Sequence, residues 1–529
     1  MERRSFLKLI SLSTFFIGLN LLSSGKRQVK FNHGIASGDP TNSNVILWTR
    51  LTVGNNKKIL ATYEVSNTKE FKNIIASGQS YTDRNKDFTV KVDVSIPRNF
   101  RGKQVYYRFK AEGVSSQIGA TSTLPENTSD FKIAIFSCSN YPAGYFNAYN
   151  AASKDNSINM GIHVGDYLYE YKQGEYATEN AVQLNRQPIP NKEITTLDDY
   201  RLRHAQYKSD IDLQALHSSI PMACAWDDHE IANDAWRSGA ENHQINEGSF
   251  AIRKRNALKA YFEWMPVREP KDQSKNWKKY KVGNLVDIKL LETRLSSRSK
   301  QLEINEYITN EGTFLKEDFY KTLKNKNRKL LGNEQLTFIE RNVESNQAWN
   351  VYAQQVLLAS LKLPPIPSGV IDMLPGYQQY YKTVIKHDLP YNLDAWDGYP
   401  AEREKFLKLV NAASKKNIFI AGDTHNCWAN NIMLDDKFVG AELATPSVTS
   451  PGASENFNGM VSSKDLENAM TLKNKNLKWT NLADRGYLTI NFKPENATAE
   501  FIGVDTISSR NYKTKILKRI EITPGQELA

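Results

Sequence analysis

Cysteine, aspartate, tyrosine and histidine recur in four short segments of the chain, each directly after a compact apolar run. They are FSCSN around Cys138, VGDYLYEY around Asp166 and Tyr169, AWDDHEIAND around Asp228 and His229, and AGDTHN around Asp423 and His425. The apolar runs cover 131–136, 160–164, 221–226 and 418–421. Short runs without polar alternation fit strands covered on both faces, and ligands of such sheets gather at the strand ends. A single Gly-Asp pair means little, because that pair is common in turns. Four such loops together predict a polynuclear metal site.

The donor types narrow the metals. A thiolate, a phenolate and an imidazole suit a Lewis-acidic transition ion, with ferric iron the best match. The carboxylates of Asp166, Asp228 and Asp423 offer hard oxygen suited to calcium, magnesium or manganese. Asp166 and Tyr169 are three residues apart, so one carboxylate can bridge two metals while the phenolate binds one. Metals about 3.5–4 Å apart can hold a phosphoryl group and lower the pKa of a bound water. The expected chemistry is metal-assisted phosphoester hydrolysis.

With these loops the chain resembles the PhoD-type alkaline phosphatases, a branch of the calcineurin-like metallophosphoesterases related to the purple acid phosphatases. Beyond the four loops, the likeness extends over HGIASGDPTNSNVILWTRL at 33–51, ETRLSSR at 292–298, WDGYPAER at 396–403, ELATPSVTSPG at 442–452 and DRGYLTI at 484–490. The resemblance implies an enzyme that hydrolyses phosphate monoesters and diesters with ferric iron and calcium, more than one calcium included. It implies that Cys138, Asp166, Tyr169 and His425 bind the iron. Asp166 would bridge to calcium, with Asp228 and Asp423 on the calcium side. His229 stands where related enzymes keep a histidine beside the substrate, either as a donor to the leaving oxygen or as a supporting group. Glu292 occupies a position where the family pattern has Asp, which leaves the roles of Glu292 and Arg294 open. Arg294 could clamp phosphate oxygens bidentately or sit in structural ion pairs. Asn233 and Asp234 are candidates for a second calcium. Asp227 is expected behind Asp228, because adjacent residues of an extended chain point to opposite sides.

Two rival readings share the sequence. One is a phosphodiesterase acting on phospholipid or nucleic-acid backbones. The other is a non-catalytic surface protein that binds through its β-domain, against which the full ligand set argues.

The elements that must position these residues fall into two blocks. Residues 31–124 read as a small all-β sandwich: Phe88, Val90, Val92 and Val94 alternate with polar residues, as do Val105, Tyr107, Phe109 and Ala111. Residues 125–129 form a linker. From 130 to 510 short apolar strands alternate with helices, an α/β pattern that agrees with the four-layer α/β/β/α sandwich the resemblance implies. Phe250, Ala257, Tyr261 and Trp264 share one helical face that belongs to a core. Residues 296–335 are expected to be polar surface helices, 364–400 a rim over the site or plain loop packing, and 511–529 a C-terminal tail. His163 reads as a buried, hydrogen-bonded histidine, and His204, His217 and His243 as structural or surface residues.

The 529 residues exceed what one core accommodates, and 40% hydrophobic with 24% charged residues is ordinary for a soluble protein. The formal charge of +11 favours anionic substrates, but no basic run or recognition-helix pattern points to nucleic acid, and no stable protein partner is inferred. Three cysteines, at 138, 224 and 427, do not make a disulfide scaffold, although a Cys224–Cys427 bridge is open. Arg3-Arg4-Ser5-Phe6-Leu7-Lys8 precedes a mildly apolar stretch from Leu9 to Leu22. This resembles a Tat-type signal over 1–25 and implies the Tat machinery as a partner and a periplasmic or extracellular location. Replacing Arg3 and Arg4 by Lys is expected to leave folded, active enzyme inside the cell. Cell fractionation with normal export of the double variant would exclude a Tat signal.

Overall fold

A computed structural model of the chain describes residues 29–54, 57–343, 347–374, 376–413, 416–457 and 460–529. The proposed signal at 1–25 lies outside them. Two large sheets form the centre. The first runs, in spatial order, Thr514–Ile522, Ala497–Val504, Arg485–Phe492, Phe131–Phe136, Met160–His163, Met222–Cys224, Ile35–Gly38, Asn44–Arg50 and Thr89–Ser95. The second runs Lys278–Val282, Val286–Leu290, Trp349–Ala353, Asn417–Ala421, Lys437–Ala444, Cys427–Leu434 and Leu477–Asn481.

The apolar runs become buried strands because both of their faces find cover. Ile133 and Ile135 of one sheet join Ile418 and Ile420 of the other in the central core. The alternate residues face outward to the helices. Ala134 and Phe136 pack with Tyr149, Leu216, Ala257 and Tyr261. Tyr352 and Phe419 pack with Leu336, Phe406 and Val410. The result is the four-layer α/β/β/α sandwich. Met160–His163 lies between Phe131–Phe136 and Met222–Cys224, parallel to both, so the three loops that follow leave the same edge. Asn417–Ala421 is parallel to Trp349–Ala353 in the opposite sheet, and the Gly422 amide donates to the Gln355 carbonyl at 2.7 Å.

The N-terminal strands form a β-sandwich with its own core. Val45, Leu47, Val90 and Val94 pack against Val65, Val105, Tyr107 and Phe109 of a sheet built on Ile59–Ser66, Ile74–Thr82 and Val105–Ala111. The sandwich is not a detached module, because Ile35–Gly38 pairs with Met222–Cys224 at Gly38 and Met222 and extends the first large sheet. The helix Phe250–Trp264 buries the expected face, including Phe250, Ala257, Tyr261 and Trp264.

Two expectations are corrected. Residues 511–529 are not a loose tail: Thr514–Ile522 is the edge strand beside Ala497–Val504, and Leu528 is buried, its amide donating to Asn431 Oδ1 at 2.8 Å. Its lysines and arginine disguised the strand; such residues are normal on an edge that must resist further pairing. The 296–335 segment is mostly irregular, with a 3-10 turn at Ile304–Tyr307 and α-helix confined to Lys316–Leu323 and the start of Gly332–Val343. Cys138, Cys224 and Cys427 are buried free thiols. Cys224 belongs to an outer core and Cys427 to the central one, so no bridge joins them.

Gly38 is where the two β-blocks join. A Cβ there would lie 2.3 Å from the Pro266 carbonyl oxygen and 2.5 Å from that of Met222. Gly38→Ala is therefore expected to lower the denaturation midpoint, at a cost of about 1–3 kcal/mol for forced backbone displacement. Unchanged denaturant curves would show that the junction carries no such constraint.

Candidate metal centre

The four loops converge. Cys138, Asp166 and His425 bring potential ligand atoms within 4.8 Å of one another, as do Asp166, Asp228 and His229, and also Asp227, Asp228 and Asp423. Asp166 and Asp228 are shared between groups, so the site is continuous. Tyr169 Oη donates to Asp166 Oδ2 at 3.1 Å and lies 3.3 Å from His425 Nε2. The site abuts an open cavity of about 960 Å³ that Asp234, Asn392, Asp394, Asp423 and His425 help to line.

The backbone takes strained turns to aim these side chains. Cys138, Asp166, Asp423 and His425 all have left-handed φ, between 55° and 64°. Such conformations cost about 1–3 kcal/mol each and persist only where the surroundings impose them. The Ser139 amide donates to the Asp166 carbonyl at 2.8 Å, locking the first two loops together. Glu230 accepts from the amides of Asp166, Tyr167 and Asp227, joining the second loop to the third. Gly165, at φ 114°, permits this approach; a Cβ there would lie 2.4 Å from that of Asp227.

Histidine tautomers follow from the acceptors. His425 Nδ1 lies 2.9 Å from the Pro451 carbonyl, so Nδ1 carries the proton and Nε2 is left for a metal. His229 Nδ1 lies 2.7 Å from Glu170 Oε2, which leaves Nε2 for the site. His163 is buried as expected: it accepts from the Gly165 amide at Nδ1 and reaches Tyr149 Oη at 2.8 Å from Nε2.

Charge in the site is unbalanced. Burial, then the neighbouring carboxylates Asp228 and Asp227, push Asp166 well above the carboxylate range despite His229. Burial and Asp227 do the same to Asp423. Burial and Asp166 raise the Cys138 thiol and the Tyr169 phenol. Oδ1 of Asp166, Oδ2 of Asp227 and Oδ1 of Asp228 are buried without a hydrogen-bond partner. Unpartnered buried oxygens beside a thiol and a phenol are a donor set that fits cations and little else.

Of the two roles open to Arg294, the structure shows ion pairing. Its wholly buried guanidinium engages Asp227, Asp394 at 2.7 Å, Asp423 at 3.1 Å and Asp228 at 3.6 Å. It is committed to carboxylates, with no free fork for a phosphate. Glu292 accepts from the amides of Arg294, Leu295 and Ser296 and from Trp226 Nε1. The glutamate is thus fully used in shaping the loop. Asp227 reaches the ligand groups beside Asp228, because the strand ends at Cys224 and extended alternation no longer applies. The Asn233 side-chain amide donates to Glu241 and its backbone amide to Glu170. Asp234 lines the cavity, and its amide donates to Asp228.

Residues 133–501 match the family model for the PhoD-like phosphatase, and 19–125 match that for its N-terminal domain. The chain belongs to the PhoD-like phosphatase family. Alkaline phosphatase D of Bacillus subtilis (strain 168) is 32% identical over 493 residues, spanning 89% of this chain and 77% of that protein. A solved structure of PhoD superposes with a TM-score of 0.80 at 28% identity, covering 96% of this chain and 92% of that one. This PhoD-like phosphatase is a phosphoric ester hydrolase of the alkaline phosphatase type, and the non-catalytic reading falls away.

Several contributors to the site escaped the sequence. Glu170 stands inside the VGDYLYEY segment, yet only the fold shows it beneath His229. Ser450, within ELATPSVTSPG, donates to Tyr169 Oη at 2.7 Å. Asp394 and Tyr176 come from segments without a ligand pattern. Glu170→Gln keeps the size but removes the anion that orients His229. Its kcat/KM is expected to fall about 10–100-fold, the usual cost of losing such an outer partner. Steady-state kinetics equal to wild type would remove Glu170 from the working site.

Proposed function

We propose that this PhoD-like phosphatase is exported through the Tat route and hydrolyses phosphate monoesters and diesters at a mixed ferric iron–calcium centre. The observation that carries this reading is the asymmetry of the donors about Asp166. On one side stand the Cys138 thiol, the Tyr169 phenol and the His425 imidazole. On the other stand the carboxylates of Asp227, Asp228 and Asp423. Soft and phenolic donors favour ferric iron, whereas an all-oxygen set favours calcium. When bound, the two metals supply Lewis acidity toward the phosphoryl group and an activated water.

The chain's own residues do the remaining work. Asp166, between both donor sets, would share its single carboxylate between them. His229, held at Nδ1 by Glu170, turns Nε2 toward the reacting group, where it can donate to the departing oxygen. The breadth of the cavity leaves the alcohol portion of an ester loosely defined, which favours both ester classes over one narrow substrate. Export rests on Arg3 and Arg4 and the apolar stretch after them.

The test is optical. A ferric centre holding both Cys138 and Tyr169 should colour the protein through ligand-to-metal charge transfer. Tyr169→Phe and Cys138→Ser should each shift or bleach the band separately. A calcium-selective chelator should stop hydrolysis and spare the colour. A colourless, fully active enzyme would overturn the iron assignment.

A further inference from the structure

Tyr176 is not among the expected ligands, yet it stands at the meeting point of the metal centre and the cavity. Its ring is partly exposed and lines the cavity beside His425 and Asp423. It stacks on Tyr169 at 5.9 Å and 24°, and lies nearly parallel to His229 at 6.5 Å and 7°. These contacts fix the ring and aim Oη at His425 Nδ1, 3.2 Å away.

The hydrogen-bond arithmetic at that nitrogen is decisive. His425 Nδ1 also lies 2.9 Å from the Pro451 carbonyl oxygen, which can only accept. Nδ1 must therefore carry a proton, shared between the Pro451 oxygen and Tyr176 Oη. Tyr176 is the acceptor in that contact. A phenolic oxygen that accepts still has its own O–H to donate. No acceptor for that proton is found among the described residues, and the space it faces is the cavity.

Resting on the hydrolase reading above, we propose that Tyr176 is a substrate-contacting residue whose hydroxyl donates a hydrogen bond to an oxygen of the phosphate group bound in the cavity. It places a neutral donor beside His425 in a wall that also carries the carboxylates of Asp234, Asp394 and Asp423. A donor of this kind strengthens as negative charge accumulates on the phosphoryl oxygens.

Tyr176→Phe tests this, since it keeps the ring stack and the His425–Pro451 bond and removes only the hydroxyl. The probe is inorganic phosphate, titrated calorimetrically into the metal-loaded protein, with metal content and steady-state kinetics measured in parallel. The variant should bind phosphate about ten- to a hundred-fold more weakly, the range for a hydrogen bond to a charged group, with a comparable loss in kcat/KM. Its iron and calcium content should match wild type. Unchanged phosphate binding would overturn the proposal. So would metal loss in step with the weakened binding, because Tyr176 would then only buttress His425. Wild-type protein that binds phosphate but hydrolyses no ester would refute the hydrolase reading, while the phosphate comparison would still decide the role of Tyr176. Wild-type protein that hydrolyses esters but binds no phosphate would overturn the proposal for Tyr176 and leave the hydrolase reading standing.

Discussion

Mutual repulsion among buried carboxylates is the constraint on which the rest of this molecule depends. Asp166, Asp227, Asp228 and Asp423 are crowded where the two sheets end, with Asp394 beside them and Arg294 and His229 as nearby cations. Two like charges 4 Å apart repel by about 4 kcal/mol at an effective dielectric of 20. A protein keeps such a cluster only where something of opposite charge belongs. Arg294 meets part of the need, and it succeeds in holding Asp228 below the ordinary range against the upward push of burial. Asp166 and Asp423 stay well above that range, despite His229 beside the first and Arg294 beside the second. The thiol and phenol next to them lean the same way: each is a good ligand only as an anion, and burial together with the Asp166 charge disfavours that anion.

The fold is organised to hold this arrangement still. Left-handed turns at Cys138, Asp166, Asp423 and His425 aim these side chains at one another, and carboxylates one layer out prevent the turns from relaxing. Glu230 gathers three amides from two loops, and Glu292 gathers three from the loop that carries Arg294. These buried glutamates replace the regular backbone pairing lost where the strands stop. The β-sandwich contributes from a distance, by extending the first sheet past Met222–Cys224.

Much of this was legible in the sequence, for reasons that can be named. Strands covered on both faces leave an uninterrupted apolar signature, so Phe131–Phe136 and Asn417–Ala421 emerged with their loops attached. Ligand chemistry is local to those loops, so Cys138, Asp166, Tyr169, Asp228, Asp423 and His425 could be picked out by type. What failed depended on geometry beyond a few residues. Arg294 invites a phosphate-clamping role until its carboxylate neighbours are seen. Asp227 was set behind Asp228 by a rule that holds only in extended chain. Thr514–Ile522 hid behind its charge, because an edge strand needs little apolar surface. Tyr176 and Glu170 carry no ligand spacing at all, and only the folded loops reveal their partners.

The bridging role proposed for Asp166 is the point on which the mixed centre turns. Elemental analysis of purified wild-type protein and of Asp166→Asn, compared at equal folded content, tests it directly. Wild-type protein should contain stoichiometric iron together with calcium, and the amide variant should lose calcium and much of its iron while its β-sandwich remains folded. Asp166→Asn protein that retains both metals in full, or wild-type protein that holds stoichiometric zinc in place of iron, would contradict a mixed centre bridged by this carboxylate.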